Sequence, residues 1–194
     1  MKKLIATALF LTFAMVSYGQ VLDLPSSHSA DVSSLDPVSV EAGLLIGDVD
    51  SIAGRVVGKT SDNLAIIGDL TLVDNDELAV GVGALVGIDV GLPFDTAVKA
   101  GFNTLLDSDA DLFDISGEAV FGSPISSVDG LAWYGNLGLH YVDFDIDDDL
   151  APALGGGVTY RMNEAVGFFG GIEALLGDFI YDDTVISAGV KYTF

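Results

Sequence analysis

Ile186-Ser187-Ala188-Gly189-Val190-Lys191-Tyr192-Thr193-Phe194, at the end of the chain, alternates strictly. In an extended strand, successive side chains point to opposite faces. Ile186, Ala188, Val190, Tyr192 and Phe194 therefore share one face, and Ser187, Gly189, Lys191 and Thr193 the other. One face is wholly apolar, and the other is small and polar with one charge.

The same alternation runs backwards through the chain. Leu131, Trp133, Gly135, Leu137, Leu139 and Tyr141 oppose Ala132, Tyr134, Asn136, Gly138, His140 and Val142. Leu64, Ile66, Gly68, Leu70 and Leu72 oppose Asp69 and Thr71. Ten segments of this kind are expected: Val38–Ile46, Ile52–Lys59, Leu64–Val73, Leu78–Asp89, Thr96–Leu105, Phe113–Phe121, Leu131–Val142, Leu154–Met162, Ala165–Leu175 and Val185–Phe194. Clusters of Asp, Gly, Asn, Pro and Ser separate them, which is a hairpin signature. Every charge within the segments falls on the small-residue face: Glu41, Arg55, Lys59, Asp69, Asp89, Lys99, Asp114, Glu118, Arg161, Glu173 and Lys191.

A soluble β-sandwich also alternates, but its polar face is solvated and crowded with charge. A charge-free apolar face backed by glycines and a few charges is the inside-out arrangement of a transmembrane β-barrel. The segment lengths suit the 9–11 residues that a tilted strand needs to cross a bilayer. The expected fold is all-β, an antiparallel up-and-down transmembrane barrel of ten strands, with eight longer strands as the alternative.

Composition fits this reading. The chain has 194 residues, is 50% hydrophobic and has a mean hydropathy of +0.53. It also carries 29 acids against 7 bases, for a net charge of −22. Disordered chains are poor in apolar residues, so disorder is excluded. Nucleic acid is excluded as a partner, because phosphate binding needs clustered Lys and Arg. The absence of cysteine removes disulfides, thiolate metal sites and thiol nucleophiles. No cofactor is expected. Gly81–Gly87 lies inside a strand and opens no helix, so a dinucleotide fingerprint is excluded.

Residues 1–19 have a basic start (Lys2, Lys3), an apolar run from Leu4 to Val16, and small residues at Ser17 and Gly19 before Gln20. This is a secretory signal peptide, and it implies Sec export. Residues 20–36 are polar and Ser-rich and read as a flexible periplasmic leader; His28 lies there. Residues 37–194 form the barrel. An even strand number keeps both termini on one side, expected to be the periplasm.

The connections sort by charge. The odd ones hold Asp48 and Asp50; Asp74, Asp76 and Glu77; Asp107, Asp109 and Asp111; Asp143, Asp145, Asp147, Asp148 and Asp149; and Asp178, Asp182 and Asp183, with no base. The even ones hold only Asp62, Asp95, Asp129 and Glu164. The acidic rim therefore faces outward. Asp107, Asp109 and Asp111, and Asp145, Asp147 and Asp149, are weak candidates for Ca²⁺ or Mg²⁺ at lipopolysaccharide. Neither run matches an EF-hand loop.

The inward charges Glu41, Arg55, Asp69, Lys99, Asp114, Glu118, Arg161, Glu173 and Lys191 are expected to pair across the lumen and brace it. A structural barrel is the leading expectation, a narrow cation-preferring pore the second. A lipid-modifying enzyme is a third and remoter one. Its only barrel histidine would be His140, inward and near the outer rim, and nothing in the sequence sets a serine beside it.

Ser187, Gly189, Tyr192 and Phe194 resemble the C-terminal targeting strand of bacterial outer-membrane proteins, which implies recognition by the barrel-assembly machinery. The wider chain resembles the small YfaZ-type outer-membrane barrels of Gram-negative bacteria. The resemblance rests on Thr60-Ser61-Asp62-Asn63-Leu64-Ala65, Val80-Gly81-Val82-Gly83, Gly91-Leu92-Pro93, Ser123-Pro124 and the Gly-Val-Lys-Tyr-Thr-Phe ending. It implies location and fold, and no chemistry.

Overall fold

The computed structural model describes residues 30–47, 50–73, 77–106, 112–144, 147–176 and 184–194, with backbone alone at 112, 144 and 147–149. A 3-10 turn at Val32–Ser34 precedes ten strands. These are β1 (Val38–Ile46), β2 (Ser51–Ser61), β3 (Leu64–Val73), β4 (Glu77–Ile88), β5 (Asp95–Leu106), β6 (Leu112–Pro124), β7 (Leu131–Phe144), β8 (Asp147–Arg161), β9 (Val166–Leu175) and β10 (Thr184–Thr193). Each strand pairs antiparallel with its chain neighbours, and β1 pairs with β10, closing a barrel. Closure leaves no unpaired sheet edge, which a bilayer requires. Among the described residues no helix is long and apolar enough to cross a membrane.

Alternation settles which face is which. On β3, Ala65, Ile67, Asp69, Thr71 and Val73 are buried, while Ile66, Leu70 and Leu72 are exposed. The outer wall carries Leu44, Ile52, Val56, Val82, Phe102, Ile115, Leu137, Leu139, Ile172 and Val190, all exposed. Two aromatic groups flank this apolar band. Phe94, Phe121 and Trp133 meet at 6.1–6.2 Å near the rim that bears both ends of the barrel chain, here the near rim. Phe102, Phe113 and Tyr141 meet at 6.1–6.2 Å toward the opposite, far rim. Aromatic girdles at both edges of an apolar band are a feature of membrane barrels.

β8 departs from expectation. It begins at Asp147 rather than Leu154 and runs through Pro152. The Pro152 carbonyl accepts from Leu176 N (2.7 Å), so this residue turns its backbone toward β9. β9 pairs with β8 only as far as Ala153–Leu175. The proline's missing N–H therefore falls where the β9 ladder has already ended. The Asp143–Asp149 run is mostly strand, with Asp143 opposite Asp148 and Val142 opposite Asp149. Asp89 lies beyond the end of β4 and is exposed, outside the lumen.

Candidate functional site: the lumen

The lumen is packed in tiers. Toward the far rim Leu45, Ala53, Ala151, Ala153, Phe169, Leu175 and Val185 form an apolar cluster. Toward the near rim Val57, Ala65, Ile67, Leu85, Ala97 and Val120 form another. Between them lies a polar belt.

Glu41, Arg55, Asp69, Lys99, Asp114, Glu118 and Glu173 are all in the belt, each 0–9% exposed. Arg55 Nε donates to Asp69 Oδ1 (2.6 Å), and Glu41 is in register beside Arg55 on the other side. Lys99 Nζ donates to Glu118 Oε1 (2.8 Å). Asn103 Nδ2 donates to Asp114 Oδ2 (3.3 Å). Asn136 Nδ2 donates to both Glu118 Oε2 (2.7 Å) and Glu173 Oε2 (2.8 Å).

These contacts run around the wall rather than across the lumen. Arg55–Asp69, Lys99–Glu118 and Asn103–Asp114 are register pairs of adjacent strands. Asn136 reaches Glu173 over β8, and the residue between them is Gly155. A Cβ there would stand 2.4 Å from Asn136 Oδ1 and 3.1 Å from Glu173 Oε2. Gly81 plays the same part beside Asn103, whose Oδ1 occupies the space of a Cβ. Tyr134 lies over Gly157 and Gly171, where a Cβ would meet its hydroxyl at 2.6 and 2.1 Å.

Two expected members fall outside the buried belt. Arg161 ends β8 at the near rim and is exposed. Lys191 is in register with Glu41 but only half-buried, near the end of the last strand. Among the described residues the belt thus has five carboxylates against the buried bases Arg55, Lys99 and His140. The amides of Asn103 and Asn136 complete it. Sequence reasoning puts Asn136 on the inner face but gives it no role, because an uncharged amide carries no sign to balance.

His140 is inward and 2% exposed, with Nδ1 3.1 Å from Asp114 Oδ1. Its register partner on β6 is Ser116, so a serine does stand beside it. An activated nucleophile needs the serine hydroxyl bonded to the imidazole. Ser116 Oγ and His140 Nε2 each make no hydrogen bond, and Asp114, Ser116 and His140 are 6%, 4% and 2% exposed.

The end of the expected flexible leader is packed. Ala30, Val32 and Leu35 are 1%, 2% and 7% exposed and join the near-rim cluster. Asp31 caps the turn, accepting from Ser33 N (3.0 Å) and Ser34 N (3.3 Å). Burial of the Asp31 carboxyl opposes ionisation, but its bonds from Ser33 and Ser34 together outweigh that and hold it below the usual carboxylate range. Lys59 Nζ donates to Ser33 O (2.6 Å), and Thr193 Oγ1 to Asp36 Oδ2 (3.1 Å). Leader residues 20–29 and the signal segment 1–19 lie outside the described residues.

Of the acidic-rim candidates, Asp107, Asp109, Asp111 and Asp145 also lie outside the described residues, as do the side chains of Asp147 and Asp149. Among the described residues no cluster of three or more potential metal ligands occurs. In the terminal strand Ser187 and Gly189 face inward, and Tyr192 and Phe194 point outward and meet edge to face, with ring centres 4.9 Å apart.

No family model and no curated protein matches the sequence. Solved structures do match in fold. The KdgM porin in complex with disordered oligogalacturonate is 10% identical with a TM-score of 0.53, covering 80% of this chain and 99% of that one. The translocator domain of the autotransporter NalP from Neisseria meningitidis is 11% identical with a TM-score of 0.50, covering 83% and 90%. Both similarities speak to the barrel fold.

Proposed function

We propose that the protein is an integral outer-membrane barrel of a Gram-negative bacterium, structural in role, with a lumen sealed at rest and both ends of the barrel chain at the periplasm. The observation that carries this is the burial of the whole belt: Arg55, Glu41, Glu118, Asn136 and Glu173 are 0–2% exposed inside a ten-stranded wall. Eight-stranded barrels are filled by side chains and sixteen-stranded ones are open, so ten strands lie near the filled limit. The exposed apolar wall with its two aromatic groups supports the membrane. The signal segment and terminal strand support Sec export and handover to the barrel-assembly machinery. The resemblance to YfaZ-type barrels belongs to the same reading, with lipopolysaccharide as neighbour and Ca²⁺ or Mg²⁺ weakly held at the acidic rim. A non-enzymatic role belongs to the same reading.

The refolded protein should migrate differently on a gel with and without heating, and random coil by circular dichroism in detergent would end the barrel reading. In planar bilayers it should give no conductance steps. Steady cation-selective steps that change with Lys99→Met or Glu118→Gln would favour the second reading, a narrow cation-preferring pore. The excess of buried carboxylates over buried bases is the observation behind that reading.

A further inference from the structure

Residues Ala30–Asp36 sit in the near mouth as an inserted part, not as wall. Val32 packs where a Cβ on Gly87 would lie 3.3 Å from its own Cβ. The segment shares its apolar cluster with five strands, β2 to β6, through Val57, Ile67, Leu85, Ala97 and Val120. Polar links tie it to the barrel as well, among them Lys59 to Ser33 O and Thr193 to Asp36.

The belt begins directly beneath it. Two residues deeper than Val57 on β2 is Arg55; than Ile67 on β3, Asp69; than Ala97 on β5, Lys99; and than Val120 on β6, Glu118. Two residues along a strand is about 6–7 Å. The turn at Val32 is thus one layer of side chains from two buried ion pairs.

We propose that Ala30–Asp36 is an autoinhibitory plug: it closes the near mouth, and its withdrawal admits water and small cations to the belt. The proposal rests on the barrel reading above. Cations are favoured because the five belt carboxylates outnumber Arg55, Lys99 and His140 together.

The chain has no cysteine, so a single introduced thiol is an unambiguous reporter. Ala97→Cys in the refolded full-length protein is treated with small cationic and anionic methanethiosulfonates. The same is done with Val32→Asp added, which puts a charge into the apolar contact, and with Lys59→Met added, which removes the tether. Both plug variants should label at least about tenfold faster than Ala97→Cys alone, as opening of a locally held segment becomes easy. The cationic reagent should outrun the anionic one. Equal rates with and without the plug substitutions would overturn the plug, and a faster anionic reagent would overturn the cation preference.

Val32→Cys with Gly87→Cys provides a second measurement that needs no disrupted plug. Their separation is near the Cβ–Cβ spacing of a disulfide. Oxidation should cross-link them in the folded barrel, and failure to cross-link would also overturn the proposal. Conductance of the unaltered full chain would instead count against the sealed-barrel reading alone.

Discussion

Arg55→Met in the detergent-folded barrel should cost about 3–5 kcal/mol, the usual result of leaving a buried carboxylate without its cation. Arg55 is 1% exposed and bonds Asp69 at 2.6 Å, while Glu41, 0% exposed, stands next in register. The substitution keeps the aliphatic volume and removes only the charge and its donors. Asp69 and Glu41 would then share an inner wall where water cannot replace the guanidinium. Urea unfolding followed through Trp133, the chain's one tryptophan, reads the change. Adding Asp69→Leu should restore much of the loss, because an apolar replacement of both partners is often near neutral. A shift below about 1 kcal/mol for Arg55→Met alone would mean that the pair behaves as an exposed one, and the sealed belt would be wrong.

The barrel wall is legible in sequence because lipid leaves so little choice. An outward charge is costly in hydrocarbon, so the apolar phase across the middle of each strand carries no charge and the inward phase follows from period two. Glu41, Asp69 and Glu118 are assigned to the lumen on that basis alone, and each is buried there. Their partners are harder to read. Whether Asn136 touches Glu173 depends on β8 supplying Gly155 between them, a fact of register two strands wide. The plug is harder still. Ala30, Val32 and Leu35 are sparse apolar residues in a Ser-rich stretch, with no period that marks a strand or helix. Their burial comes from a mouth built by five other strands. Pro152 hides the start of β8 for a similar reason, since its harmlessness depends on where β9 ends.

Gly189→Ala should destabilise the refolded barrel, whereas Phe194→Ala should not, although both residues belong to the terminal-strand pattern. Gly189 pairs with Gly43 across the seam that closes the barrel. A Cβ there would lie 2.3 Å from Ala42 O, 2.4 Å from Phe169 Cζ and 2.8 Å from Gly43 Cα. Two of those atoms are backbone, so turning the Phe169 ring cannot relieve the contact and β1 must move away from β10. Overpacking of this kind costs about 1–3 kcal/mol and more where backbone shifts. Measured in a Phe169→Ala background, which is itself destabilised by the loss of a buried ring, Gly189→Ala should therefore still cost most of what it costs in the unaltered barrel. Phe194 is 75% exposed and, among the described residues, its ring meets that of Tyr192 alone in an aromatic contact. Its removal should change the unfolding free energy read from urea titration by no more than about 0.5 kcal/mol, as for other surface sites. In cells the order should reverse in kind: Phe194→Ala should lower the amount of barrel that reaches the membrane while leaving what arrives as stable as before. If Phe194→Ala weakened the purified barrel as much as Gly189→Ala, the terminal aromatic would be a structural clasp, and the assembly role of this strand would lose its support.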